Sequence, residues 1–363
     1  MDSKLEKGVS AFNQEYSQYD QVDKIQRYRL SEGEEDQFDE DYQIKTCDLN
    51  NYFNGGEAEK DNFAKDFGES LEDIGFAILV NHGVDTTLYQ ETREKVIELF
   101  ENYSVESRMK FRAQRYGSVN QGYFPIKETT IIHPDMVEGW VFCRRAFDMD
   151  HDPNYNANDF WPDQKMEASF RKVVLAHEQL ILPLMQSILR YLKVNIHLYD
   201  EKLTKTNIGF RLNYYPPIIE GKAFEGGRML GHEDVDLFTI LPASNIEGLQ
   251  ALHRGSMKWV RVNAPEGSII INTGDYMQRI TNNRLPSTTH RVSKPQNSSL
   301  YEKPRITFPM AVYVWEDEIL EVLPGLGTPK YPPITAEKFH TKITSKYYGD
   351  DYADLPSISN KTK

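Results

Sequence analysis

From residue 206 onward the chain breaks into short runs rich in β-branched and aromatic residues. Among them are IGFRLNYYPP, LFTILP, LQALH, KWVRV, SIIIN, THRVS and RITFPMAVYV, split by Gly, Pro and Asn. Many short strands at such intervals predict a β-sandwich or barrel. The N-terminal half has a different period. EKDNFAKDFGESLEDIGF sets Phe63, Phe67, Leu71 and Ile74 at helical spacing, and the FAILVNHG that overlaps its end reads as a strand closed by a turn. A second helix is expected after Asp85, with Leu88, Val96, Leu99 and Tyr103 on one side. Residues 166–194 read as a long amphipathic helix kinked at Pro183. The expected fold class is mainly β with flanking helices: a helical N-terminal region packed on an antiparallel β core, with no internal repeat.

Length and charge narrow the setting. The 363 residues suggest about two domains, or one large β domain with additions, and 39% hydrophobic with 12% aromatic residues suffices for a sizeable core. A net charge of −13 argues against nucleic acid and anionic membranes as partners, since both need concentrated Lys and Arg. Two cysteines, Cys47 and Cys143, are too few for a disulfide framework and lack a CxxC spacing. No signal-peptide core and no membrane-length apolar stretch is present. The expectation is a soluble cytoplasmic protein, a monomer or weak homodimer acting on a small molecule. Four regions are expected: a polar extension over 1–42 whose acidic SEGEEDQFDEDY is a solvated run, an N-terminal region over 43–165, the long helix with the β core over 166–348, and a mobile tail or lid over 349–363.

One β segment carries chemistry. GHEDVDLFTIL reads as a buried strand, yet it holds His232, Asp234 and Asp236, and polar groups that cost several kcal/mol to bury unpaired need partners there. Residues i and i+2 of a strand share a face, so His232 and Asp234 are expected to point together. His290, in STTHRVS, is far enough along the chain to return on a neighbouring strand. Two imidazoles and one carboxylate on one side of a metal form the facial triad of non-heme Fe(II) oxygenases, which leaves positions open for co-substrate and dioxygen. A short His-x-Asp string alone also arises by chance. Arg305 and Thr307, two apart in PRITFPMAVYV, suit a carboxylate: guanidinium grips it through two parallel hydrogen bonds and the hydroxyl adds a third. The competing reading of Arg305 is a structural salt bridge.

These motifs resemble the isopenicillin N synthase-like group of 2-oxoglutarate- and Fe(II)-dependent oxygenases. RLNYYPP, GHEDVDLFTIL, GLQAL, KWVRV, GSIIINTGDYMQRITNNRLPSTTHRV and PRITFPMAVYV fall in that family's order, and DIGFAILVNHGV and NQGYF match its N-terminal signatures, so the likeness spans roughly residues 43–350. The resemblance implies a double-stranded β-helix (jelly-roll) core, with His232, Asp234 and His290 as Fe(II) ligands. Arg305 and Thr307 match the family's Arg-x-Ser, which holds the distal carboxylate of 2-oxoglutarate. Asn213 and Tyr215 match its Asn-x-Tyr, the tyrosine at that carboxylate and the asparagine near the metal. The implied chemistry consumes O2, releases succinate and CO2, and hydroxylates, desaturates or cyclises a small-molecule substrate, with ascorbate as a candidate reductant. Two other functions stay open: a 2-oxoglutarate-independent oxidase of the isopenicillin N synthase or aminocyclopropanecarboxylate oxidase type, and a non-catalytic ligand sensor on the same fold.

Asp236 replaces a small residue in the family pattern. It is read as outside the ligand set, either an acceptor behind the metal carboxylate or a group facing a cationic substrate. Tyr123, Phe124, Trp140 and Phe142 are candidate substrate contacts with core packing as the alternative, and Gln250 is a candidate for the pocket lining or for bracing the triad. His82, His177 and Asp275 read as structural.

Overall fold

Alternation along each strand decides what the two faces of the main sheet meet. The computed structural model describes residues 15–16, 28–29, 32–33, 35–126, 135–149, 151–219 and 227–348. In chain order the N-terminal strands are β1 (Thr46–Asp48), β2 (Phe76–Val80), β3 (Gln114–Tyr116), β4 (Val119–Phe124) and β5 (Glu138–Cys143). The core adds β6 (Asn207–Tyr215), β7 (Met229–His232), β8 (Phe238–Pro242), β9 (Leu249–His253) and β10 (Lys258–Arg261). It closes with β11 (Ile269–Thr273), β12 (His290–Val292), β13 (Arg305–Thr307) and β14 (Met310–Tyr313). The larger sheet runs β1-β2-β11-β8-β14-β6-β5-β4-β3, with β13 also paired to β6; the smaller runs β10-β9-β12-β7. Together they form the expected jelly roll.

The larger sheet is buried on both faces, and its sequence alternates accordingly. Ala77 and Leu79 of β2, Ile269 and Ile271 of β11, and Ile208, Phe210 and Leu212 of β6 pack into the helical layer. Their neighbours Phe76, Ile78 and Ile270 turn the other way and meet Leu249, Ala251 and Val292 of the smaller sheet. The helical layer is α1 (Glu57–Ile74), α2 (Thr87–Glu101) and α3 (Gln164–Tyr191). Phe63, Phe67, Leu71 and Ile74 are all buried on α1, as their spacing predicts. Each such side chain stabilises the fold by roughly 1.5–3 kcal/mol relative to exposure. The helix stops at Gly75, whose φ of +74° lets its N–H return to the Leu71 carbonyl. Helix α3 begins on the Asp163 side chain, which accepts from the Lys165 N–H, and runs uninterrupted through Pro183. Gly68 permits the close crossing of α1 on α3: a Cβ there would sit 2.0 Å from the Tyr191 ring. Helix α4 (Ala336–Tyr348) follows the β core.

The acidic run corrects an expectation. Residues 36–40 are not a solvated extension. The Trp259 N–H donates to the Gln37 carbonyl at 2.8 Å, and the Asp39 N–H donates to the Trp259 carbonyl at 2.9 Å. Asp36 pairs with the buried Arg291 at 2.8 Å, and Glu40 pairs with Arg261. The countercharges come from β10 and β12, hundreds of residues away, which is why a local reading of charge missed them. The tail 349–363 and most of the chain before residue 32 lie outside the described residues. No helix among the described residues is long and apolar enough to cross a membrane.

Candidate active site

His232 ends β7 and His290 begins β12, and the two are direct cross-strand partners with ring centroids 4.3 Å apart. The Nδ1 of His232 lies 2.9 Å from the Leu230 carbonyl, and that of His290 lies 3.0 Å from the Thr288 carbonyl. A carbonyl only accepts, so each Nδ1 carries the proton and each Nε2 presents a lone pair. Asp234 does not share the strand face as expected. β7 ends at His232, and Asp234 sits in the loop before β8, held by the Asn272 amide and the Thr239 hydroxyl, each donating to Oδ2 at 2.8 Å. The Nε2 atoms stand 3.9 Å (His232) and 4.0 Å (His290) from the carboxylate. Those gaps exceed a hydrogen bond, and the three side chains each offer an atom within 4.8 Å of the others.

The protonation states suit a divalent cation. Burial pushes His232 down to about 4, the adjacent His290 adds to this and Asp234 opposes it, so the ring is neutral near pH 7. Burial would raise Asp234, but the His290 and His232 imidazoles and the Asn272 and Thr239 hydrogen bonds outweigh it and hold the carboxyl below its ordinary value. Two imidazoles and one carboxylate are the donor set of a non-heme iron site, and their fixed tautomers fit that group.

Asp236 answers differently from either ligand or substrate contact. It is fully buried, and burial together with the Asp234 charge raises its carboxyl well above the ordinary value. The Thr239 hydroxyl lies 2.7 Å from Asp236 Oδ2 and 2.8 Å from Asp234 Oδ2. The Thr239 hydroxyl thus sits within hydrogen-bond distance of both carboxyls and ties Asp236 to the back of Asp234. The side chain does not border the cavity, so the cationic-substrate reading is corrected. Gly274 makes room for it, since a Cβ there would lie 2.3 Å from Asp236 Oδ1.

A cavity of about 230 Å³ opens beside the triad and reaches Arg305, Thr307, Tyr215 and Asn213. Strand register brings these four together: Arg305 faces Tyr215 and Thr307 faces Asn213 across β13 and β6. Arg305 is 3% exposed, its Nε donates to the Ile246 carbonyl at 3.1 Å, and its Nη1 is buried with no hydrogen-bond partner. It makes no ion pair among the described residues, so the salt-bridge reading fails. Burial lowers its pKa, opposed by the charge of and a hydrogen bond with the Tyr215 hydroxyl. The Asn213 amide donates to Thr307 Oγ1 at 3.2 Å, and the Thr307 hydroxyl lies within hydrogen-bonding reach of Tyr215. A desolvated guanidinium with an unsatisfied N–H beside the Thr307 and Tyr215 hydroxyls fits a carboxylate.

The aromatic candidates resolve to the core-packing alternative. Tyr123, Trp140 and Phe142 pack into the helical layer, with Phe142 stacked on Trp161 at 3.7 Å. Val119, Asn120 and Val141 line the cavity instead. The reason is register: Trp140 faces Leu212, whereas Val141 faces Arg211. Phe124 is buried 6.0 Å from the Arg211 guanidinium and does not itself line the cavity. Gln250 points to the far face of the smaller sheet, where its Oε1 accepts from Arg291 Nε at 2.7 Å, so it is no part of the pocket. His82 braces its turn through the Gly267 carbonyl at 2.8 Å, and His177 is buried 3.3 Å from the Tyr89 hydroxyl. Sequence reasoning missed Arg211, two residues before Asn213 on the same strand face, and His340 and Thr344, one helical turn apart on α4; all three line the cavity. The first had a legible signal in the alternation of RLNYY.

Residues 207–310 match the profile of the 2OG-Fe(II) oxygenase superfamily, and residues 44–164 that of the N-terminal region of non-haem dioxygenases in morphine synthesis. These spans cover more than half of the chain. A flavonol synthase/flavanone 3-hydroxylase of Matthiola incana is 26% identical over 285 residues, covering 76% of this chain and 91% of its own length. An isopenicillin N synthase of Penicillium rubens is 26% identical over 272 residues, covering 69% and 80%. A full-length Neurospora crassa protein, solved in complex with alpha-KG and thymine, shares the fold at a TM-score of 0.74 and 20% identity, covering 84% of this chain and 97% of that one. The chain belongs to the 2OG-Fe(II) oxygenase superfamily, as a 2-oxoglutarate- and Fe(II)-dependent dioxygenase of its isopenicillin N synthase-like group.

Proposed function

We propose that His232, Asp234 and His290 hold Fe(II), that Arg305, Thr307, Tyr215 and Asn213 hold 2-oxoglutarate, and that a small molecule in the rest of the cavity is hydroxylated, desaturated or cyclised. One observation carries this reading: the two Nε2 lone pairs and the Asp234 carboxylate converge on a cavity that also holds a buried guanidinium with an unsatisfied N–H. Bound Fe(II) supplies the oxygen chemistry, with succinate and CO2 as the products of the keto acid. The protein residues prepare the site. The Leu230 and Thr288 carbonyls fix the imidazole tautomers, and Phe76 holds the His290 ring edge-on at 5.6 Å. Thr239 and Asn272 occupy Oδ2 of Asp234 and leave Oδ1 for the metal. Arg305 pairs with the distal carboxylate of the keto acid, and the Thr307 hydroxyl donates to it. Leu241, Leu249 and Val292 keep water from the surrounding wall.

Anaerobic titration with Fe(II) and then 2-oxoglutarate, followed by O2 and succinate measurement, tests the reading. The wild-type protein is expected to bind one Fe(II) and to form succinate, and His232→Ala, Asp234→Ala and His290→Ala to lose the metal. Unchanged metal binding in Asp234→Ala would overturn it.

A further inference from the structure

Charge is distributed unevenly around the cavity. The chain carries a net charge of −13, yet Arg211 lines the cavity without an ion pair among the described residues. Its Nε donates to Asn213 Oδ1 at 2.7 Å. Its Nη atoms make no hydrogen bond among the described residues. The space they occupy is kept open by Gly139 on β5, where a Cβ would approach Arg211 Nη2 to 3.1 Å. The acidic side chains that border the same cavity are engaged: Asp135 accepts from the Leu230 N–H at 2.8 Å, Glu233 accepts from the Thr289 hydroxyl at 2.6 Å, and Asp234 belongs to the triad. The uncompensated positive charge on this stretch is therefore built in.

Its position separates it from the keto-acid anchor. Along β6 the residues Gly209, Arg211, Asn213 and Tyr215 all line the cavity. Two-residue steps of about 6.7 Å set Arg211 roughly 13 Å along the strand from Tyr215, which faces Arg305. The walls beyond it are apolar, from Val119, Val141, Gly209 and Ala311, with His340 and Thr344 of α4 above. His340 brings no positive charge, because burial pushes it down to about 3. The whole cavity, about 230 Å³, is smaller than the roughly 300–1,000 Å³ of sites for drug-sized ligands.

We propose that Arg211 determines substrate specificity, and that the substrate is a small organic acid whose carboxylate pairs with this guanidinium while its apolar body lies against Val119, Val141 and Ala311. The inference rests on the assignment of Arg305 to 2-oxoglutarate. Guanidinium recognises carboxylate through paired N–H donors, and a neutral amide of the same shape leaves that charge unmatched. The Arg211–Asn213–Thr307 hydrogen-bond chain joins the two anion positions, so an occupied Arg211 also steadies the Thr307 hydroxyl.

The test uses the full chain loaded with Mn(II), anaerobically, with and without 2-oxoglutarate. Benzoate, phenylacetate, hydrocinnamate and hexanoate are compared with their primary amides by thermal shift and calorimetry. At least one acid is expected to raise the Tm and to bind at least tenfold more tightly than its amide. Arg211→Gln should remove that preference, and Arg211→Lys should restore part of it. Equal response to acid and amide, no response to any of the acids, or a preference that survives in Arg211→Gln would overturn the proposal. Loss of the 2-oxoglutarate shift in Arg211→Gln with the acid preference intact would do so as well. If 2-oxoglutarate itself fails to stabilise the Mn(II) protein, the keto-acid assignment falls, and the acid-against-amide comparison with Mn(II) alone still decides the role of Arg211.

Discussion

Replacing Arg305 by Met should separate binding from stability. The guanidinium is 3% exposed, holds one hydrogen bond to Ile246, and carries a buried Nη1 with no partner. Methionine keeps much of the apolar stem and removes the charge. Deleting one side of a buried, hydrogen-bonded charge pair costs about 2–5 kcal/mol, which is a loss of about thirtyfold to several thousandfold in 2-oxoglutarate affinity. Without the co-substrate the sign reverses. An unpaired buried charge is costly, and an apolar replacement of similar volume is neutral or stabilising. The ligand-free Mn(II) protein should therefore melt at or above the wild-type temperature. Wild type gains about 2.7 kcal/mol when 2-oxoglutarate is at one hundred times its Kd, and the variant gains at most about 0.9 kcal/mol at the same concentration. Arg305→Lys keeps the charge without the planar fork and should fall between the two. Anaerobic calorimetry and thermal melts measure both arms. Affinity within threefold of wild type in Arg305→Met would refute the argument, because among the described residues Arg211 is the only other arginine or lysine that lines the cavity, and it sits in the middle of β6, four residues before Tyr215.

Three further outcomes follow from buried groups. Asp236 keeps a proton in the fold that the unfolded chain releases above its ordinary value of 3.8, so its burial costs stability as pH rises; Asp236→Asn should raise the Tm at neutral pH, and the advantage should shrink as pH falls. No gain at neutral pH would mean that burial does not raise the carboxyl. Gly68→Ala places a methyl group 2.0 Å from the Tyr191 ring and should cost about 1–3 kcal/mol in urea unfolding, whereas a neutral result would show that α1 and α3 slide freely. Burial pushes both His177 and His340 down to about 3 from 6.5, so the unfolded chain takes up their protons first and stability is lost as pH falls below 6.5. Each should contribute a loss of about 2 kcal/mol by about pH 5, and a flat unfolding free energy across that interval would exclude it.

The strands of the core were legible because period-two alternation follows from residue order alone, and the three converging side chains because the motifs that carry them resemble the family's. The His232–Asp234 pair was right for an incomplete reason: the turn after β7, not a common strand face, brings them together. Trp140 and Phe142 show where such reading stops. Their spacing puts them on one face, but only the pairing of β5 with β6 decides that this face meets the helices and that Val141 meets the cavity. Asp236 looked like a spare acid in sequence, and only its distance to Thr239 shows that it is tied behind Asp234. Gln250 was misread for the same reason as the aromatics, since Arg291 claims it from the opposite side of β9.

The clasp of residues 36–39 on β10 carries a consequence for solubility. β10 is the outermost strand of the smaller sheet, and an uncovered outermost strand offers its free N–H and C=O groups to any other chain. Gln37 and Asp39 occupy those groups at Trp259. A protein trimmed to the start of the family match at residue 44 would keep its metal cluster and lose this cover, and the bare rim would invite strand-to-strand association between molecules.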